Sequence, residues 1–283
     1  MKDDKVKILA KKWYQKLDFA KEYDRKFEKL LETETGFYET KFEDFDLRAN
    51  KDEYSKNVIW ALYFLEQTSL KYKEKNIPEN IMMDTFFNVR FTIMKYTDIF
   101  GELSLKGIDT WVNLHLSFKL FTIGRLQYEM RGAESGAEHL GLLKDKPVLA
   151  VHIPKGEALT EESCIKSFDL ANKFFKKYFP EYKYEYFTCH SWMLDRNLDK
   201  FLSPDSNLVK FKNLFVHASD TPLDSAISFC FPHDVNRENI KDFTPKTSLQ
   251  RKIREHVLAG GVLNYTYGIR KIQTNLTFPN KGP

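Results

Sequence analysis

The hydrophobic repeat changes period near residue 120, and that change restricts the chain to a two-part architecture. Upstream, apolar residues recur at helical spacing. Leu9, Trp13, Leu17, Ala20, Phe27 and Leu31 mark one helix over 5–31. A second pattern runs from about Asp52 to Lys75, a third opens after Pro78, and a fourth starts near Asp109. Downstream come short runs at 121–130, 147–154, 184–192, 206–218, 225–231 and 262–272, which read as strands. Two helices interrupt them. One follows Thr160, carries Glu161 and Glu162 in its first turn, and stops before Pro180; the other follows Thr247 and stops at Gly260–Gly261. The expected class is α+β: a helical N-terminal domain over 1–119, a mixed-sheet domain over 120–273, and a loose tail over 274–283.

Three of the strand-like runs carry polar residues where a core strand has none. Strand side chains alternate between faces, so Arg125, Gln127 and Glu129 in FTIGRLQYEM share one face. In PVLAVHIP, His152 shares a face with Val148 and Ala150, just before a Pro–Lys–Gly turn. In YEYFTCHSW, Cys189 and Ser191 alternate with His190 and Trp192. A buried polar group is costly without a partner, so several on neighbouring strands mark a lined cleft. Glu129 and His152 are the candidate proton carriers. Arg125, Gln127 and Trp192 are candidate substrate contacts, and Ser191 and Cys189 are candidate donors or nucleophiles. Adjacent strand residues face opposite ways, which separates Cys189 from His190, whereas Cys189 with His152 remains an open arrangement across strands. The plainer alternatives are an Arg–Glu structural pair, a turn-bonded histidine and an inert buried cysteine.

Composition excludes several classes. Forty-four basic residues against 40 acidic ones give a net charge of +4, well mixed and without a basic stripe, so no nucleic-acid partner is expected. Cys164, Cys189 and Cys230 are odd in number and widely spaced, which speaks against a disulfide framework or a zinc site. The start, MKDDKVKILAKKWYQ, lacks the apolar run of a signal peptide, and VIWALYFL is too short to span a bilayer. A cytoplasmic protein acting on a small molecule is expected, with no membrane partner, no metal and no covalently bound cofactor. Nothing in the sequence sets an oligomeric state.

The segments GRLQYE, HIPKGEALTEES, CHSWMLD, SNLVKF, TSLQR and AGG together resemble a bacterial family of acyltransferase domain-containing proteins. The resemblance covers nearly the whole chain. It implies a helical acyltransferase-type N-terminal domain and a C-terminal domain like the GNAT fold of N-acetyltransferases. It also implies transfer of an acyl group from a thioester of the acyl-CoA type to an amine, with acyl-CoA as cosubstrate. GNAT proteins hold the coenzyme A pyrophosphate with an Arg/Gln-x-x-Gly-x-Gly/Ala turn, because backbone N–H groups at a helix start form an anion site. This chain has no such match. Arg131-Gly132-Ala133 and Gly136-Ala137 have the wrong spacing. Lys155 and Gly156, in the loop before the Thr160 helix, are the candidate substitutes, with Glu157, Glu161 and Glu162 opposing them. Arg251, near the start of the last helix, is a further candidate anion contact. The departure from the turn pattern supports an alternative, a non-catalytic small-ligand binding or sensing protein that retains a GNAT-like shell.

Overall fold

The computed structural model describes residues 2–49 and 53–272, so the expected tail over 274–283 lies outside the described residues. The chain divides into two compact units, residues 1–123 and 124–283. The first is helical: α1 (Lys2–Lys16), α2 (Asp24–Thr33), α3 (Lys56–Glu74), α4 (Glu79–Phe100) and α5 (Asp109–Leu116), followed by a short strand β1 (Leu120–Ile123). Its core is aromatic. Trp60 packs on Phe37, Phe45 and Phe64, and Phe86 meets both Trp13 and Tyr72. The Trp13 indole N–H donates to Glu66 at 2.7 Å, which satisfies a polar atom that burial alone leaves unpaired. Among the described residues no helix is long and apolar enough to cross a membrane.

The helix expected over 5–31 is two helices. Asp18 takes a left-handed conformation at φ 52°, a 3₁₀ turn follows at Lys21–Tyr23, and α2 starts at Asp24. Tyr14 stacks on both Phe19 and Phe27, with centroids 4.4 and 4.0 Å apart. The apolar spacing runs on through the break because both helices bury one common stripe. Asp is among the residues that tolerate a left-handed conformation.

The second unit holds β2 (Leu126–Gly132), β3 (Pro147–His152), α6 (Glu161–Tyr178), β4 (Tyr186–Ser191), α7 (Asn207–Lys212), β5 (Val216–Pro222), α8 (Ser225–Cys230), α9 (Ser248–Leu258) and β6 (Asn264–Lys271). Its strands lie in the order β2-β3-β4-β6-β5. β3 and β4 are parallel, joined through α6, and the other neighbouring pairs of this unit are antiparallel. The second unit thus holds a mixed GNAT-like sheet and the first is helical, as expected. Both capping signals hold: Thr160 accepts from Ser163 N, and Thr247 and Gln250 form a reciprocal capping box. One sheet face is apolar. Tyr128 and Phe187 pack there against Phe168 of α6, and the Tyr128 hydroxyl bonds Ser167 Oγ at 2.8 Å.

Three expected strands are corrected. The run 121–130 is broken at Gly124, φ 65°, so Arg125 sits in a turn and not on the β2 face. A Cβ at Gly124 would meet Ser167 at 3.3–3.4 Å, so the small residue also permits a close approach. The run 206–218 begins as helix α7, capped by Ser206 Oγ, and becomes strand only at Val216. Val209 and Phe211 are buried, and so short a run satisfies helical and strand spacing alike. The run 225–231 is helix α8, which places Ala226, Ile227 and Phe231 in one cluster with Trp192, Ile253 and Val257.

Gly268, in the middle of β6, is a strand glycine set by close packing. A Cβ there would lie 2.8 Å from Leu194 Cδ1 and 3.0 Å from Phe215 Cβ. Gly268→Ala is expected to lower unfolding free energy by about 1–3 kcal/mol, read from urea denaturation of the two proteins.

Candidate active site

Residues directly opposite one another in paired strands share a face. Gln127 faces His152 and Glu129 faces Ala150 across β2–β3, Ala150 pairs Thr188 across β3–β4, and His190 pairs Tyr267 across β4–β6. The register therefore collects Gln127, Glu129, Arg131, His152, Thr188, His190 and Tyr267 on the sheet face opposite Tyr128 and Phe187. The parallel β3–β4 ladder holds two pairs, Leu149–Phe187 and Ala150–Thr188. β3 continues to His152 and β4 to Ser191 beyond that ladder. A hollow of about 120 Å³ lies there, lined by Arg131, Glu134, His152, His190, Tyr265 and Tyr267 among others.

Two histidine–carboxylate pairs stand at this hollow. His152 Nε2 lies 2.9 Å from Glu129 Oε2, and His190 Nδ1 lies 2.7 Å from Glu134 Oε2. Arg131 stands between them, its guanidinium 3.2 Å from Glu134 Oε1 and 3.9 Å from Glu129 Oε2. Glu129 is nearly buried, with 9% of its side chain exposed, whereas the two imidazoles keep 25% and 28%. The Glu134 carboxyl lies below its usual range. The hydrogen bond with His190 lowers it most, the charges of His190, Arg131 and His152 add to this, and burial opposes them. The His190 ring packs against Tyr265 with centroids 4.4 Å apart, and the Tyr267 hydroxyl accepts from Glu134 N at 3.3 Å. Burial pushes both tyrosine hydroxyls above their ordinary value, so they stay protonated near neutral pH.

The structure brings Glu129, His152 and Gln127 to one face and separates the other sequence candidates from them. Cys189 and Ser191 point to the opposite face, which parts Cys189 from His152 as well as from His190. Cys189 is fully buried, and burial drives its thiol far above the ordinary range. Ser191 Oγ accepts from Met193 N at 3.1 Å, capping a 3₁₀ turn. Trp192 is buried in the cluster with Ile227, Ile253 and Val257. Arg125 donates to the carbonyl oxygens of Pro154 at 2.9 Å and Glu157 at 2.8 Å, which pins the loop between β3 and α6. Lys155 and Gly156 are exposed in that loop, and a Cβ at Gly156 would meet nothing within 4 Å. Arg251 is exposed on the first turn of α9.

His190, Glu134, Arg131 and the two tyrosines line the hollow but are not among the candidates that the sequence points to. Strand parity held the signal for His190, since pairing Ala150 with Thr188 puts His152 and His190 on one face. Glu134 lies beyond the end of β2, where alternation no longer assigns a direction. Among the described residues no group of three His, Cys, Asp or Glu is set to hold a metal.

Two measurements follow from this electrostatic arrangement. A lowered folded-state pKa means that the ionised Glu134 stabilises the fold above the unfolded-state value of 4.5, and that this stability is lost as pH falls through the folded value. Thermal melts of wild type and Glu134→Gln should therefore differ at neutral pH and converge as the pH falls well below 4.5. Iodoacetamide at about pH 8 should leave Cys189 unlabelled in the native protein, and label it after denaturation, read by peptide mass spectrometry.

The geometry can be set beside known proteins. The family described as GNAT-like C-terminal domain matches residues 120–270. No curated protein sequence matches the chain significantly. Among solved structures, an acyltransferase mutant in complex with octanoyl-CoA aligns with a TM-score of 0.74 at 18% identity, over 93% of this chain and 88% of that one. An acyltransferase in complex with decanoyl-CoA gives 0.73 at 20% identity, over the same shares. An acyltransferase in complex with CoA and 10C-teicoplanin gives 0.70 at 18% identity, over 96% of this chain and 100% of that one. These likenesses concern the fold. With its match spanning more than half of the sequence, the chain belongs to the family defined by the GNAT-like C-terminal domain.

Proposed function

We propose that the protein is an N-acyltransferase that moves an acyl group from an acyl-CoA-type thioester to an amine, at the hollow lined by His152 and His190. The observation that carries this reading is the pair of histidine–carboxylate contacts on one sheet face, His190–Glu134 and His152–Glu129. Family membership and the acyl-CoA and teicoplanin complexes of the structural neighbours support the reaction class.

His190 is the general base. Its Nδ1–H donates to Glu134, which leaves Nε2 as the proton-accepting atom of the neutral ring. The amine nitrogen attacks the thioester carbon, its proton passes to Nε2, and the carbon–sulfur bond breaks. The Tyr265 hydroxyl, packed on His190, gives its proton to the departing thiolate and regains one from the protonated His190. Backbone N–H groups at the ends of β3 and β4 polarise the thioester carbonyl. Glu129 and His152 form a second dyad on the same face, where Gln127 pairs with His152 across β2–β3. Lys155 and Gly156 take the donor's diphosphate. The loop is open and glycine-containing, and Arg125 holds it in place, although Glu157, Glu161 and Glu162 reduce its attraction for an anion.

One observation favours a second reading. The chain lacks the Arg/Gln-x-x-Gly-x-Gly/Ala turn, as a ligand-binding protein with a GNAT-like shell would.

Thermal shift and calorimetric titration with octanoyl-CoA and decanoyl-CoA, followed by release of free thiol with a panel of primary amines, test the proposal. Binding is expected with both thioesters. His190→Ala should lower kcat about 10²–10⁴-fold while donor binding persists. Donor binding without turnover on any amine favours the binding protein, and no shift with any thioester removes the transferase reading.

A further inference from the structure

The other end of the same sheet holds a second and larger concavity. Its volume is about 830 Å³, within the range of small-ligand sites. It opens where β3 and β4 begin and where β6 and α6 end, beside Pro147, Tyr186, Lys271 and Phe179. The strands run from there toward His152 and His190, so the groove and the hollow occupy opposite strand ends.

Its floor is aromatic, with Phe175 and Phe179 buried and Tyr182 and Tyr184 half-buried. The rings meet at unlike angles: Phe175–Tyr184 at 78°, Phe175–Phe179 at 41° and Tyr182–Tyr184 at 32°. None of these pairs forms a flat slot for a planar ring. An uneven aromatic floor fits a flexible chain that bends to follow it. The rim is basic, since Lys146, Lys176, Lys183 and Lys271 line the groove, with Glu185 the one carboxylate among its described lining residues. Lysine presents a mobile point charge on an apolar stem, suited to a singly charged head group at a wet edge.

We propose that this groove binds a medium- or long-chain carboxylate, with its alkyl chain on the aromatic floor and its head group among the rim lysines. The site is distinct from the acyl-transfer hollow and does not depend on that assignment. The complementarity is an uneven aromatic bed under an excess of positive charge.

The test uses the full chain and dansyl-labelled undecanoate, displaced by laurate. Dodecyltrimethylammonium, with the same chain and the opposite charge, is the control. Laurate should displace the probe and the ammonium should not. Reversing two exposed rim charges, Lys183→Glu with Lys271→Glu, should weaken laurate about tenfold, whereas His190→Ala and a chain ending at Ile272 should bind it as wild type does. Equal displacement by the ammonium, an unchanged affinity in the rim variant, or no displacement by laurate overturns the proposal. Loss of binding in His190→Ala assigns the carboxylate to the transfer hollow instead. A large gain on ending the chain at Ile272 makes the last residues the groove's occupant. Either result also overturns it.

Discussion

The short parallel ladder between β3 and β4 is the constraint on which the site depends. Two residue pairs, Leu149–Phe187 and Ala150–Thr188, fix which side chains of these strands share a face. Because strand side chains alternate, a slip of one residue would send His190 to the α6 side and bring Cys189 to the hollow. The apolar face prevents that slip. Phe187 is buried against Tyr128 and Phe168, and a shifted register would expose it. Packing on one side of the sheet thus positions the two histidine–carboxylate pairs on the other.

The same arrangement explains why polar groups are tolerated in strands of a buried sheet. Glu129 is almost fully covered, yet it meets His152 and stands within reach of Arg131. Glu134 meets Arg131 and His190. The polar groups form one connected set, Glu129 and Glu134 with an arginine between them and a histidine at each end. Connected in this way, each member lowers the cost of burying its neighbours. Removing one member leaves the others less well satisfied, so stability and proton affinity are coupled at this site.

Much of this was legible in the residues. The switch of period near 120, the capped helices after Thr160 and Thr247, and the strands carrying Glu129, His152 and His190 all follow from spacing and side-chain chemistry. What was not legible depended on turns and on pairing partners. One glycine, Gly124, detaches Arg125 from the strand face and turns it into a staple for the β3–α6 loop. The runs 206–218 and 225–231 are too short for periodicity to separate helix from strand, and packing against Trp192 decides the second in favour of helix. His190 emerged as a site residue only with the β3–β4 register, and Glu134 only with the path of the chain after β2.

The most direct measurement is a crystal structure with a thioether analogue of decanoyl-CoA, whose acyl carbon cannot be transferred. The account predicts that this carbon lies in the hollow lined by His152 and His190, with His190 Nε2 placed to reach an amine that approaches within about 3–3.5 Å of it. An analogue bound with its acyl carbon on the α6 face, or at any position remote from both imidazoles, would contradict the account.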